Sequence, residues 1–231
     1  PAVAVVINSP GGSPVQSRLI ADRIRKLSEE KAKPVYVFAE DVMASGGYLM
    51  ALCGEEIYAD ESSIVGSIGV ITSGFGFNEL IERIGIQRRV ITAGQSKSTL
   101  DPFLPEKPED VERIKSLQRD VHAEFIDLVK SRRGARLKGA DDMLFTGEFW
   151  SGKKALELGL IDGLGDLHTT MRRLYGEDTR FRLVAPSTSW LRRKRSVAVR
   201  AGLPDFGFAS GIADDLISAV EARALWSRFG L

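Results

Sequence analysis

The chain opens on an apolar run, AVAVVI (2–7), that does not alternate with polar residues. Such a run predicts a strand buried on both faces. NSPGGSP (8–14) follows, a dense cluster of turn formers. From Val15 to Glu30, apolar residues at Val15, Leu19, Ile20, Ile24 and Leu27 keep helical spacing until Pro34 breaks the pattern. VYVF (35–38) predicts a second buried strand, and ASGG (44–47) leads into the short apolar helix YLMALC. EEIYA (55–59) and SIVGSIGVI (63–71) predict further strands. FNELIERIG (77–85) predicts a helix closed by Gly85, and IQRRVIT (86–92) another strand. This alternation argues an α/β fold with a largely parallel sheet.

Beyond the loop AGQSKSTLDPFLPEKP (93–108) the character changes, and residues 108–132 form the longest helical pattern. It begins with Pro108 in the first turn and with Glu109, Asp110 and Glu112, which suit the helix dipole. TGEFWSG (146–152) predicts a turn, and 153–159 and 166–175 predict helices. PSTSWLRRKRSV (186–197) reads as a linker, and 211–229 as a terminal amphipathic helix. Its stripe Ile212, Leu216, Val220, Ala224 recurs every four residues, and Asp214, Asp215 and Glu221 mark the polar face. That pattern predicts packing on a neighbouring subunit rather than on lipid. The expected division is a main domain over 1–185 and a linker plus helix over 186–231.

Composition narrows the possibilities by exclusion. With 231 residues and 43% hydrophobic content the chain can bury a real core without staples. Lys+Arg 32 against Asp+Glu 31 leaves a net charge of +1, so no global field draws in nucleic acid. Cys53 alone cannot form an intrachain disulfide, and two histidines cannot build a Cys/His metal cluster. The longest apolar run, PAVAVVI, falls far short of the roughly 20 residues of a membrane span. The expectation is a soluble chain that opens directly on a strand, as a fragment or processed product would.

The glycines, 23 in all, gather where chemistry is conceivable. In NSPGG (8–12) a strand ends in paired glycines, which serve either as a tight turn or as backbone donors aimed at an anion. In MASGGYLMA (43–51) Ser45 stands between a strand and an apolar helix. A helix N-cap is one use for it. A nucleophile is the other, since Ala44, Gly46 and Gly47 would let a substrate backbone approach. Met43 excludes the G-x-S-x-G elbow. A serine nucleophile needs a base. His122 lies mid-helix and His168 opens a late helix, both ordinary packed or solvated positions. A lysine can serve instead if burial keeps it neutral near pH 7. Lys97, in GQSKSTLDPF, is the lysine set among small, uncharged residues after a strand.

Taken together, INSPGG, ASGGYLMA, VGSIGV, AGQSKSTLDPF and TGEFWSGKKALELGLIDGLG resemble the signal peptide peptidase A family of Ser–Lys peptidases, closest to its single-domain SohB-type branch. The likeness runs from about residue 2 to 176. It implies a Clp-protease/crotonase-like α/β spiral of strand–strand–helix units, here with a helical C-terminal extension. It also implies Ser45 as nucleophile, Lys97 as general base, and Gly12 and Gly46 as backbone donors to the oxyanion. Ser67 matches a serine that holds the lysine amine, and Ser98 is a second hydroxyl within its loop. The implied substrates are membrane-associated peptides, cleaved signal peptides among them, with no cofactor. The implied partner is a further copy of the chain, in a ring where the lysine reaches a neighbour's serine. The parent protein is expected at the bacterial inner membrane, held there by an upstream segment, with a cytoplasmic location as the alternative. Two other classes share parts of the pattern, a crotonase-like acyl-CoA enzyme and a non-catalytic oligomeric scaffold.

Overall fold

β1 (Val3–Ser9) and β2 (Val35–Ala44) lie parallel, paired from Val3 with Val35 to Ile7 with Ala39. The register then slips, so that Ser9 faces Met43. Asn8 fills the slip: its side-chain oxygen accepts from the Val42 N–H at 3.1 Å, and its amide donates to Asp41 at 2.9 Å. In this computed structural model residues 2–94 and 96–184 are described, along with 223, 224, 226, 227 and 229. The linker expected over 186–197, and all but those five positions of the helix expected over 211–229, lie outside the described residues, as does the expected boundary at 185 and 186. The chain divides into two compact units, Pro1–Asp166 and Leu167–Leu231.

In the first unit α1 (Pro14–Lys31) connects β1 to β2, as a parallel pair requires. Ser13 caps it through a hydrogen bond to the Gln16 N–H, and Ala32 ends it at a left-handed φ of 48°. α2 (Gly46–Ala51) follows β2 and leads to β3 (Glu56–Ala59) and β4 (Ile64–Gly66). Later come α3 (Asn78–Arg83), the long α4 (Pro108–Arg133), a single 3₁₀ turn at Gly134–Arg136, and α5 (Asp141–Leu144). β5 (Phe149–Ser151), α6 (Gly152–Glu157) and β6 (Gly163–Leu164) complete the unit. The strand order is β5-β4-β2-β3-β6 with β1 also on β2, and only β5 runs antiparallel to its neighbour. The second unit carries α7 (Leu167–Tyr175), where the His168 ring meets Phe181 edge-on with centroids 4.5 Å apart.

The core of the first unit gathers apolar side chains from the sheet and helices, among them Val37, Met43, Ile57, Val65, Val129, Leu144 and Leu160. Two polar ties cross it. The Tyr48 hydroxyl donates to the Leu160 carbonyl at 2.7 Å, and burial pushes that phenol well above its ordinary range. Arg133, whose side chain is 2% exposed, holds Asp162 through two hydrogen bonds of 2.7 and 3.0 Å. Burial pushes the Asp162 carboxyl up. The hydrogen bonds and charge of Arg133, the Ile57 N–H and Arg136 outweigh it and leave the group below the usual aspartate value.

The structure is the mixed α/β fold that the alternation predicts. β2 runs on to Ala44, beyond the strand expected over 35–38, α5 and β6 were not expected, and three further segments differ. The strand expected over 86–92 does not form, and Ile86, Val90 and Ile91 stand 55%, 39% and 100% exposed. The strand expected over 63–71 shortens to Ile64–Gly66, where β2 pairs with it. The turn expected over 146–152 holds β5, which forms because Val65 and Trp150 pair across strands.

Candidate active site

Ser45 is the hinge between β2 and α2, and its backbone sits at φ 52° and ψ −120°. That region is costly for any residue with a Cβ. Two hydrogen bonds hold it there: its N–H donates to the Gly66 carbonyl at 2.8 Å, and its carbonyl accepts from the Leu49 N–H at 2.9 Å. The hydroxyl does not cap α2. The cap reading therefore fails, and the side chain is left for other use.

The turn after β1 presses against this hinge. A Cβ added to Gly11 would stand 2.9 Å from Ser45 Cβ and 3.2 Å from its Oγ. One added to Gly46 would stand 2.7 Å from Ser17 Oγ and 3.1 Å from the Gly12 nitrogen. One added to Gly47 would stand 2.7 Å from the Ser9 carbonyl. Gly12 itself, at φ 155°, has open space where its Cβ would be. Ser9 shapes the turn, since its Oγ accepts from the Gly11 N–H at 3.3 Å. The glycines are therefore needed as much for contact as for turning. They bring the Gly12 and Gly46 backbones together beside Ser45, an arrangement suited to a developing oxyanion.

Ser45 and Gly46 also wall a groove of about 980 Å³ between α1 and α4. Val15, Leu19, Leu49, Val121, Phe125 and Leu128 make most of it apolar. Across its rim Arg18 of α1 meets Glu124 of α4 at 3.3 Å. Apolar grooves with a few convergent polar groups are where ligands usually bind.

The remaining residues singled out in the sequence divide into two groups. Ser67 lies one residue past Gly66, the acceptor of the Ser45 N–H. It is buried, at φ 53°, with its own N–H on the Glu148 carbonyl at 2.7 Å. Lys97 and Ser98 belong instead to the segment after α3. Lys97 is exposed and Ser98 half-buried, and neither lines the groove. That segment is tied to α4 by Arg113, which donates to Ser96 Oγ at 3.1 Å and Thr99 Oγ1 at 3.3 Å.

Sequence reading missed two contributors. Gly11 carries the closest approach to Ser45, yet only the paired glycines marked it. His122, expected to be an ordinary mid-helix residue, bonds through Nε2 to the Ile68 carbonyl at 3.1 Å, next to Ser67. A carbonyl can only accept, so that nitrogen carries a hydrogen and cannot take a proton from serine. No local signal in the sequence points to this contact. Cys53 is buried, which pushes its thiol up to about 11 and leaves it a poor nucleophile. Among the described residues no three His, Cys, Asp or Glu side chains gather as a metal site, and no helix is long and apolar enough to cross a membrane.

Comparison with known proteins bears on this geometry. Residues 28–178 match the sequence profile of peptidase family S49. A Brucella abortus protein named Na(+)/H(+) antiporter NhaA is 53% identical over the whole of this chain, which covers 32% of that protein. A putative protease of Methanocaldococcus jannaschii is 33% identical over 74% of the chain and 54% of its own length. The chloroplastic serine protease SPPA of Arabidopsis thaliana is 35% identical over 72% of the chain and 24% of its own length. The chain thus spans about a third of the relative it matches over its full length.

Proposed function

The chain belongs to peptidase family S49, and from that premise we propose that it is a serine endopeptidase working through a Ser45–Lys97 dyad. The observation that carries the reading is the placement of Ser45. Its hydroxyl is free of any capping role, it lines an apolar groove, and the Gly12 and Gly46 backbones converge beside it.

In this reading the neutral Lys97 amine accepts the Ser45 proton as Oγ attacks the peptide carbonyl. The carbonyl oxygen, now negative, accepts hydrogen bonds from the Gly12 and Gly46 N–H groups. The C–N bond then breaks, and the lysine returns the proton to the departing amine. Water releases the acyl group by the same route in reverse. Ser67 or Ser98 orients the amine as a hydroxyl acceptor. The apolar groove walls favour peptides with small or apolar residues at the cut, as signal peptides and other membrane-associated segments have.

A lysine that serves as a base needs a surrounding that excludes water, and Lys97 is exposed in the single chain. The same region exposes large apolar side chains: Ile71 66%, Phe75 80%, Leu80 55%, Ile84 61% and Ile91 100%. Such a surface marks a protein contact. The proposed cover is a second copy, which desolvates Lys97 and lets it serve a neighbour's Ser45. Mixing inactive Ser45→Ala with inactive Lys97→Ala chains tests this: hydrolysis returns if the dyad is shared between copies. If exchange-competent mixtures stay silent while isolated wild-type monomer is active, the dyad lies within one chain.

The antiporter name of the Brucella relative describes a protein about three times longer. Among the described residues no helix is long and apolar enough to cross a membrane, and we propose that the transport belongs to the two thirds of that protein lying outside the match. A peptidase joined to such a partner acts at a membrane, which is the location we propose for this chain.

A further inference from the structure

α4 grips the segment that follows β4 at two points. His122 Nε2 donates to the Ile68 carbonyl at 3.1 Å, and one turn earlier Gln118 Nε2 donates to Thr72 Oγ1 at 3.0 Å. Residues four apart share one helix face, so both donors reach the same neighbour. Their partners are also four residues apart, in the opposite order, so the 68–72 segment runs against the direction of α4.

What lies between the two grips is unusual. Beyond Gly66 the segment has lost β2 as a neighbour, because β2 ends at Ala44 and the chain turns into Ser45 and α2. The backbone N–H groups of Gly69, Val70 and Ile71 have no hydrogen-bond partner among the described residues. Gly69 and Val70 line the groove that holds Ser45, as do Leu117 and Val121, the residues just before the two grips. Unpaired backbone groups beside a nucleophile are a ready edge for an incoming peptide to pair with. A segment lacking sheet partners on that side would not keep its shape unaided, since fixing each residue costs conformational entropy.

We propose that His122 and Gln118 form a two-point clasp that holds residues 68–72 in the shape a substrate peptide pairs with. They are positioning residues, acting through the segment and not on the reacting atoms. The inference rests on Ser45 being the nucleophile. Its consequence is that loss of a grip weakens peptide binding in ground and transition states alike, which raises KM and leaves kcat nearly unchanged.

The test uses the full chain and an apolar peptide substrate long enough to lie along the segment. His122→Ala, Gln118→Ala and Thr72→Val are each expected to raise KM about ten-fold, with kcat within about two-fold of the parent. His122→Gln retains an amide N–H donor and is expected to restore most of the loss. Gln118→Ala combined with Thr72→Val should cost no more than either alone, because both remove one bond. Unchanged KM in the three single variants overturns the clasp, as does a fall in kcat that His122→Gln fails to repair. Should His122→Ala not fold, the Gln118 and Thr72 pair decides the matter by itself. Fluorophosphonate labelling of the parent chain separates the two claims. A parent labelled at Ser45 with an unmoved KM in the variants refutes the clasp alone, and a parent that does not label refutes the nucleophile on which it rests.

Discussion

Gly46→Ala separates what the glycine does for packing from what it does for chemistry. The new methyl would stand 2.7 Å from Ser17 Oγ and 3.1 Å from the Gly12 nitrogen. The first contact is with a side chain, and overpacking of that kind costs about 1–3 kcal/mol of stability. The second is with backbone held by the turn after β1, and it can be relieved only by moving the Gly12 N–H. Losing one oxyanion donor typically lowers kcat about 100- to 1,000-fold, or about 2.7–4 kcal/mol of transition-state stabilisation. Adding Ser17→Gly removes the first contact and leaves the second. Thermal denaturation and steady-state hydrolysis of an apolar fluorogenic peptide would be run on Gly46→Ala and on the double variant. The expected result is a Tm restored in the double variant with kcat still depressed by two to three orders of magnitude. Wild-type kcat in Gly46→Ala, or full recovery of kcat on adding Ser17→Gly, would refute the placing of Gly12 beside the reacting oxygen.

Three further expectations concern the frame that holds the site. Asp162→Asn removes the charge facing Arg133, whose side chain is 2% exposed, and should cost about 3–5 kcal/mol in chemical denaturation. Because the Asp162 carboxyl is held below its ordinary value, its contribution is present above the unfolded aspartate pKa and lost as pH falls through the folded one. Wild-type stability should therefore drop below about pH 4, and the Asn variant should show a shallower decline there. Tyr48→Phe leaves the buried Leu160 carbonyl without its 2.7 Å donor, and should cost about 1–3 kcal/mol by the same measurement. A loss under a few tenths of a kcal/mol would show that the hydroxyl is dispensable.

The glycine turns of the candidate site were legible in the sequence because they are short-range patterns. NSPGG and ASGG each combine a strand end with residues that lack bulk, and the structure shows why both must: they touch. Other parts depend on partners far along the chain. Asp162 is 29 residues from Arg133, and nothing local to either marks the pair. β5 is a strand because β4 lies beside it, while FWSG taken locally looks like a turn. Residues 86–92 failed for a different reason. Their apolar positions imply a covered face, but not which chain covers it, and in the single chain Ile91 is fully exposed. The contact of His122 with Ile68 spans 54 residues and uses a backbone carbonyl, which every residue offers, so no residue type announces it.

The proposed hydrolysis depends first on Ser45 being the nucleophile. Treating the purified chain with a fluorophosphonate and locating the adduct by peptide mass mapping measures this without assuming a substrate. The expected result is a single adduct on Ser45, absent from a folded Ser45→Ala chain that has also lost peptide hydrolysis. An adduct on a different residue, or a Ser45→Ala chain that still cleaves peptides at the wild-type rate, would contradict it.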